Sequence, residues 1–577
     1  MESTNINAAA AARGITRRGL LARVALVTGA ATLGGIGVSA LAAAPAAAAV
    51  TASRQPHLAH TALFDSTYAH PGLLHTASDL ADIAGRVDAQ TQPWLAGFQR
   101  LAANGRSGAG WNPRPSAVVI RGGDGSNYMP MVTDIHAAYQ NALRWHATGI
   151  EEHGAAAVRI LNTWSSTLTT LSGNADRFLA AGIYGYQFAN AAELVRDRPD
   201  FQRDAFRAML LNIFLPMNEH FLTNHNGAVI TNYWANWDLC NMASVLAIGI
   251  FADRDDLVDR AVDYFHNGAG NGSLPHAVPF VYEEEGLAQW QESGRDQAHS
   301  IMGIGLMGTI CEMAWNQGID LWGADDNRFL KAAEYVAKYN LGHDVPFTPY
   351  TWQSGPSTTA AHAGWQTQTV PGANARGQGR PVWELILGHY VGRRGLEAPW
   401  TTQMVQTVRA EGGGGDYGPN SGGYDALGFG TLTAAAPAAG ERISRLQALT
   451  HPTHYLAASG AAVSLAAAPA LDLSRFRLVP GLAGDQDHRI SFESVDHPGR
   501  FLRHSFFRVA LAQNDGSALF AADATFVPVA GLGHSMMTSF QSHNRPERHL
   551  RHRNFQVWID PIVTDGDRAD ATFRMVD

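Results

Sequence analysis

Cysteine is nearly absent from this sequence: Cys240 and Cys311 are the only two in 577 residues. A disulfide scaffold is excluded, which leaves either one bridge or two buried free thiols. Charge is sparse as well. Charged residues make up 16% of the chain and apolar residues 46%, the balance of a well-packed globular protein rather than a disordered one. Net positive charge is missing, since the formal value is −9. That excludes a general nucleic-acid binder and requires any polyanion to be met in a cleft where basic groups are concentrated. Metal-ligand spacing is lacking too: 24 histidines contain neither HExxH nor a Cys/His zinc pattern. No phosphate loop or dinucleotide fingerprint is present, because "GIGLMG" (303–308) lies inside a helical run and follows no strand. Neither a metal nor a cofactor is expected.

Present at the start is "TRRGLLARVALVTGAATLGGIGVSALAAAPAAAAV", with paired Arg17 and Arg18, a weakly apolar run and small residues suited to cleavage. Residues 1–49 are expected to be an export signal of the twin-arginine type and the mature protein to be secreted. A membrane anchor is disfavoured, because the run is rich in glycine and no stop-transfer charges follow. The segment holds four arginines against one glutamate, so the chain without it is more acidic still.

From about residue 59 to 390 the sequence reads as successive amphipathic helices. Examples are "LLHTASDLADIAGRVDAQ", "FLAAGIYGYQFANAAELVRD", "FRAMLLNIFLPMNEHFL", "WDLCNMASVLAIGIFADRDDLVDRAVDYF" and "NRFLKAAEYVAKYNLG", separated by Gly, Asn, Asp and Pro. No comparable set of alternating strands appears there. Helical hairpins on this scale predict an all-α (α/α) toroid or incomplete barrel over 55–432, ringing a central cleft. The run "TAAAPAAGE" places a linker at 433–441. An all-β domain follows over 442–577, where "RLQALTHPTHYLAAS", "SFESVDHPGRFLRHS" and "SFQSHNRPERHLRHR" form an internal repeat. Three units of this size fit a pseudo-threefold β-trefoil, because one unit alone could not bury its apolar face.

Chemistry concentrates in "ESGRDQAHS" (292–300), which runs directly into the apolar "IMGIGLMGTICEMAW". On one helix Arg295 and His299 share a face. A solvated Arg/Asp pair is the plain alternative, but burying Arg or His without a partner is costly, so the cluster is expected to face a cleft. A second polar group is "NYWANWDLCNM", with Asn232, Tyr233, Asn236 and Trp237. A third is "VYEEEG" with Tyr282 and Glu283 to Glu285, and a fourth is "RPVWELILGHY" with Arg380 and Glu384. Trp234, Trp237, Trp290, Tyr350 and Trp352 supply aromatic faces on which sugars stack.

The tail resembles the arabinofuranose-binding module of α-L-arabinofuranosidases, on its twice-repeated "P-x-x-[YFH]-L-R-H … D-A-T-F" pattern. That resemblance implies a β-trefoil whose pockets hold a furanose with His504 and Asp523, and with His552 and Asp570. In the first repeat Ala457, Ala458 and Ser474 replace those groups, so that pocket is expected to have only a packing role. The helical part resembles the bacterial alginate lyase family of uronate polysaccharide lyases. The residues that carry this are "HPGLLHTASDLADI", "NWDLCNMASVLAIGIFADRDDL", "ESGRDQAHS", "AWNQGIDLW", "NRFLKAAEYVAKYN" and "GGYDALGFGTL". It looks closest to polysaccharide lyase family 38, which implies an (α/α) toroid and metal-independent β-elimination on a glucuronan or mannuronan-type polymer. Such a reaction removes the weakly acidic C5 proton of a uronate, so donors must neutralise the carboxylate while a base and an acid move protons.

By this resemblance Asn236 would bond the carboxylate, and His299 would neutralise it or act as base. Arg295 would lower the pKa of a tyrosine or bind an adjacent uronate. A tyrosine would take and return the proton; the family's tyrosine after the arginine is missing here, where "SIMG" stands, so Tyr282, Tyr233 and Tyr350, in that order, are the candidates. Gln297, Trp234, Trp237, Trp290 and Arg380 would contact the substrate. Two other functions compete. A glycoside hydrolase would use two carboxylates from Glu283, Glu284, Glu285, Asp296 or Glu384, and a non-catalytic carbohydrate-binding protein would bind without cutting. The expected partners are an anionic polysaccharide and an arabinose-bearing one, with no nucleic acid and no membrane, for a monomer.

Overall fold

The computed structural model describes residues 68–356, 364–435, 442–484, 489–534 and 537–576. The expected export signal lies outside the described residues, as does most of the expected linker. Helices fill the first part and strands the second, and each part has its own apolar core. Among the described residues, no helix is long and apolar enough to cross a membrane.

Four helices are buried on nearly every side: Met129–Thr148, Asp176–Glu193, Ala235–Phe251 and Gln297–Asn316. Such helices belong inside a structure. Three others, Glu151–Thr167, Asp255–Asn267 and Ala324–Asn340, bury one face and expose the other. Each of these packs on the buried helix that precedes it. The result is an inner row of helices backed by an outer one, with Asp176–Glu193 against Ala235–Phe251 and Ala235–Phe251 against Gln297–Asn316. Close approach inside the row depends on glycine. A Cβ on Gly182 would lie 2.4 Å from Cys240 Sγ, and one on Gly185 would lie 2.1 Å from Ser244 Oγ.

The long helical run at 237–265 is in fact two helices, broken where Asp253 takes a left-handed φ of 54°. Three two-stranded pieces also occur among the helices: Val118–Ile120 with Thr170–Ser172, Phe280–Tyr282 with Leu287–Gln289, and Tyr350–Gln353 with Trp365–Gln368. At three or four residues each, they are too short to leave an alternating pattern. Cys240 and Cys311 are both buried and free, which settles the cysteine question in favour of two thiols.

Glu384, one of the candidate hydrolase carboxylates, is fully buried and held by Arg409 through two bonds of 2.7 and 2.8 Å. Its neighbour Glu411 is 2% exposed and accepts the backbone N–H groups of Trp383 and Glu384. Burial, then the charge of Glu384, pushes the Glu411 carboxyl up to about 8. A carboxyl whose folded pKa is raised binds its proton more tightly in the folded state, so stability is lost as pH rises from about 4.5 to 8, by a few kcal/mol. Glu411→Gln removes that loss. The melting-temperature gap between variant and wild type should therefore widen in the variant's favour as pH is raised through this window; a constant gap would contradict it.

The C-terminal strands close on themselves. Arg442–Ala448, Phe476–Pro480, Ile490–Ser494, Phe526–Ala530, Thr538–Ser542 and Phe573–Val576 pair in a ring, the last with the first. Three hairpins complete the domain: His454–Ser459 with Ala462–Ala467, Arg500–Ser505 with Arg508–Gln513, and His549–Arg553 with Gln556–Asp560. The second strand of each hairpin touches that of the other two. Leu446, Leu456, Phe492, Leu502, Phe540, Leu550 and Phe573 fill the interior with zero exposure. A ring with no open edge avoids the unpaired backbone of a free sheet.

Candidate active site

The chain leaves the Phe280–Tyr282/Leu287–Gln289 hairpin and turns through residues 290–295 before entering the Gln297–Asn316 helix. Asp296 is the N-cap of that helix and accepts the N–H of His299 at 2.9 Å. Arg295 therefore lies in the turn rather than on the helix, which corrects the shared-face reading. Its guanidinium still reaches His299, with Nη2 3.1 Å from Nε2.

The group that joins the cluster is Glu292, which has zero exposure. Its carboxylate accepts Arg295 Nη1 at 2.8 Å and the backbone N–H of Asn236 at 3.0 Å. Asn236 Nδ2 donates to both of its oxygens, at 2.9 Å each. The start of the Ala235–Phe251 helix and the turn at 292–295 are thus fastened by one buried carboxylate. Gln291 adds a second tie by accepting the Ala235 N–H at 3.1 Å. Glu292 opens the quoted "ESGRDQAHS", yet a carboxylate three residues before an arginine reads as an ordinary surface pair. Only the helix 56 positions earlier shows its role.

Asn236, Arg295 and His299 are brought into one network, but not all in the expected posture. Asn236 is 2% exposed, and its amide nitrogen is held by the Glu292 carboxylate. His299 and Arg295 keep partial exposure, 38% and 26% of their side chains. The His299 Nδ1 is 2.8 and 3.0 Å from the two Asp296 oxygens. Arg295 can only donate, so His299 Nε2 accepts and Nδ1 carries the hydrogen given to Asp296. Burial alone would raise the Asp296 carboxyl, but the bonds from His299 outweigh it and hold it below the usual carboxylate value. The imidazole is therefore held in one tautomer, its Nε2 turned to the Arg295 guanidinium and its Nδ1 to the Asp296 carboxylate.

Aromatic rings flank this group. The Arg295 Cζ lies 5.2 Å from the Trp234 ring centre, and Trp234 meets Trp352 at 4.9 Å. Tyr350 stacks on Trp352 at 6.0 Å, accepts Gln291 Nε2 at 3.0 Å and donates to Asn271 at 3.3 Å. Burial raises its phenol pKa. Tyr233 accepts Asn226 Nδ2 at 3.0 Å, and its ring packs with Trp237 and Phe221. Tyr282 donates to Gln289 at 2.7 Å and stacks on Tyr335. None of the three tyrosines hydrogen-bonds to Arg295 or His299 among the described residues.

Three expected substrate contacts are corrected by their surroundings. Trp290 has zero exposure and packs on Gly303 in the core, so no ring face is available to a sugar. Gln297 is 1% exposed and spends its amide on Ser293, Gly372 and Asn340, tying the loop at 372 to the Ala324–Asn340 helix. Arg380 is 6% exposed and pairs with Asp425 at 2.6 Å. Glu283, Glu284 and Glu285 form an exposed turn, and Asp296 is committed to His299.

The β domain holds two similar polar pockets. His504 Nε2 lies 2.8 Å from Asn544 and 3.4 Å from Asp523, which Asn544 and Arg503 also bond. His552 Nε2 lies 2.7 Å from Thr450 and 3.4 Å from Asp570, which Thr450 bonds at 3.0 Å. Burial is the main cause that lowers the His552 pKa, to about 4, so its ring is neutral at ordinary pH. Asn544 and Thr450, each from the neighbouring repeat, were not among the expected residues. In the first repeat Ala457 and Ala458 are buried and Ser474 bonds Arg445.

Residues 86–345 match the "Alginate lyase" family, and residues 444–575 match the "Alpha-L-arabinofuranosidase B (ABFB) domain" family. Among curated proteins, an α-L-arabinofuranosidase B of Emericella nidulans is 43% identical over 70 residues, 12% of this chain and 14% of that one. An arabinofuranosidase/β-xylosidase of Trichoderma koningii is 40% identical over 113 residues, 18% of this chain and 22% of that one. The chain thus spans less than a quarter of the length of these relatives. Among solved structures, an alginate lyase from Bacteroides ovatus aligns at 15% identity and a TM-score of 0.36, covering 47% of this chain and 83% of that one. An alginate lyase A1-III variant aligns at 13% and 0.38, covering 62% and 95%. This chain thus joins a region that matches the alginate lyase family to a region that matches the α-L-arabinofuranosidase B (ABFB) domain.

Proposed function

We propose that the protein is a secreted polysaccharide lyase that cleaves a uronate polymer, of the glucuronan or alginate/mannuronan type, by β-elimination. The observation that carries this is the network Asn236–Glu292–Arg295–His299–Asp296, in which a guanidinium stands beside the accepting nitrogen of an imidazole. Arg295 faces the uronate carboxylate and stabilises the charge that develops as the C5 proton leaves. As Arg295 Nη2 leaves His299 Nε2 for the uronate carboxylate, that nitrogen is freed and takes the C5 proton. The electron pair forms the C4=C5 double bond, the C4–O bond breaks, and the departing oxygen receives the proton that His299 Nε2 accepted from C5. Glu292 and Asp296 do not touch the substrate; they hold Arg295 and His299 in place. Trp234, half-buried beside Arg295 and backed by Trp352, provides a sugar-stacking face. We read the inner and outer helical rows as an (α/α) toroid.

The hydrolase alternative needs two accessible carboxylates facing one glycosidic bond. Glu384 and Glu411 do adjoin each other, but both are buried. A panel of glucuronan, polymannuronate, polyguluronate and pectin, read by ultraviolet absorbance, tests the lyase. One polymer should yield the conjugated, absorbing unsaturated end. Chain shortening without absorbance on every polymer would contradict elimination.

We read the closed ring with its three hairpins as a β-trefoil that holds the enzyme on arabinose-bearing polysaccharide, raising local substrate concentration. His504 with Asp523, and His552 with Asp570, would hold the furanose. Removing one partner of a buried polar pair costs about 1–3 kcal/mol, or about tenfold or more in affinity. His504→Ala and His552→Ala should each weaken retention on arabinan, and the double variant should abolish it. Unchanged retention in the double variant would contradict the role.

A further inference from the structure

Away from the Glu292 network, the strand Val118–Ile120 leads into a glycine-rich loop, "RGGDGSNY" (121–128), before the Met129–Thr148 helix. Gly122, Gly123 and Gly125 take left-handed φ values of 77°, 81° and 75°, which this tight loop requires. The loop is fixed at its start: the Arg121 N–H donates to Ser172 O at 3.0 Å, and the Ile120 N–H donates to Asn127 at 2.7 Å. It thereby projects two side chains, Arg121 and Tyr128, toward the inner helices.

The Arg121 guanidinium lies 5.3 Å from the Tyr128 ring centre and 5.3 Å from the Tyr184 ring centre, and those rings stack at 6.2 Å and 18°. Arg121 Nη1 is buried and has no hydrogen-bond partner, and the same holds for the Tyr184 hydroxyl, on a residue 1% exposed. Two unsatisfied donors at one place are costly. The charges nearby do not satisfy them. Asp425 is within electrostatic reach of Arg121 but is bonded by Arg380, and Asp176 is the other acidic neighbour. Burial raises the Tyr184 pKa, so its phenol stays a donor. Arg121 and Tyr128 are partly exposed, so the place is open on one side.

Position links it to the reaction. Arg121 and Tyr184 are both within electrostatic reach of Cys240, four residues beyond Asn236 on the same helix, or about 6 Å along its axis. We propose that Arg121, Tyr184 and Tyr128 form a second anion subsite, which binds the carboxylate of a uronate residue neighbouring the one cleaved. The guanidinium would pair with the carboxylate, the Tyr184 hydroxyl would donate to it, and the Tyr128 ring would contact the sugar. This rests on the lyase reading and adds to it that affinity for the polymer, rather than the chemical step, depends on a residue outside the Arg295 network.

The test compares the full-length wild type, Arg121→Gln and Tyr184→Phe on the polyuronate that the wild type cleaves. A charge-assisted bond lost at a subsite should raise KM about tenfold in Arg121→Gln and about threefold in Tyr184→Phe, with kcat within about threefold of wild type. The KM difference should shrink on oligomers too short to reach the subsite. An unchanged KM in both variants, or a fall in kcat at constant KM, would overturn the subsite while leaving the lyase intact. A wild type that neither binds nor cleaves any polyuronate, by calorimetry and absorbance, would overturn both. Should Arg121→Gln fail to fold, Tyr184→Phe, which lacks one oxygen, decides alone.

Discussion

His299→Ala should reduce kcat/KM on the polyuronate by about a thousandfold, the contribution of a positioned proton-transfer group. The geometry explains why the loss is this large. Asp296 receives Nδ1 and Arg295 caps Nε2, so the ring has one orientation and one tautomer, and among the described residues no other imidazole bonds to Arg295. The variant should keep its fold, because His299 is partly exposed and its main structural tie, the backbone N–H to Asp296, survives. Assays of kcat and KM with a melting curve separate the two effects. A folded His299→Ala that retained more than a tenth of wild-type activity would remove the imidazole from the mechanism.

Glu292→Gln should be the most damaging conservative change in the helical domain. The carboxylate answers four donor contacts from Asn236 and Arg295, and an amide would place its own N–H groups against some of them. Removing one partner of a buried ion pair costs about 3–5 kcal/mol, because the remaining charge is left uncompensated. Arg295 would also lose the contact that aims it. The expected result is a clear fall in melting temperature together with a drop in kcat of about a hundredfold. Glu292→Asp keeps the charge but shortens the reach and should recover part of the stability. If Glu292→Gln left both quantities unchanged, the carboxylate would not be what joins the two elements.

Much of the fold was legible because its signals are local. Inner helices announce themselves as apolar on every side, and the β repeats carry spaced prolines. The site was legible only where residues lie close together in sequence. Arg295, Asp296 and His299 fall within five positions, so their meeting could be read directly. What could not be read was tertiary. Trp290 and Gln297 stand in the same polar stretch, yet one is buried under Gly303 and the other ties a loop to a helix. Glu292 gains its meaning from Asn236, and Asn544 and Thr450 from strands of the adjacent repeat. Arg121 gave no sequence signal at all, since a glycine-rich loop reads as a turn and hides the guanidinium it projects.

The most direct measurement is the intact mass of both fragments released from one defined oligouronate, by wild type and by His299→Ala. Elimination consumes no water, so the two wild-type fragments should together weigh what the oligomer weighed, one of them unsaturated, and His299→Ala should release almost none. Fragments that together weigh one water more would mean hydrolysis, and would contradict the Arg295–His299 centre as a uronate-eliminating site.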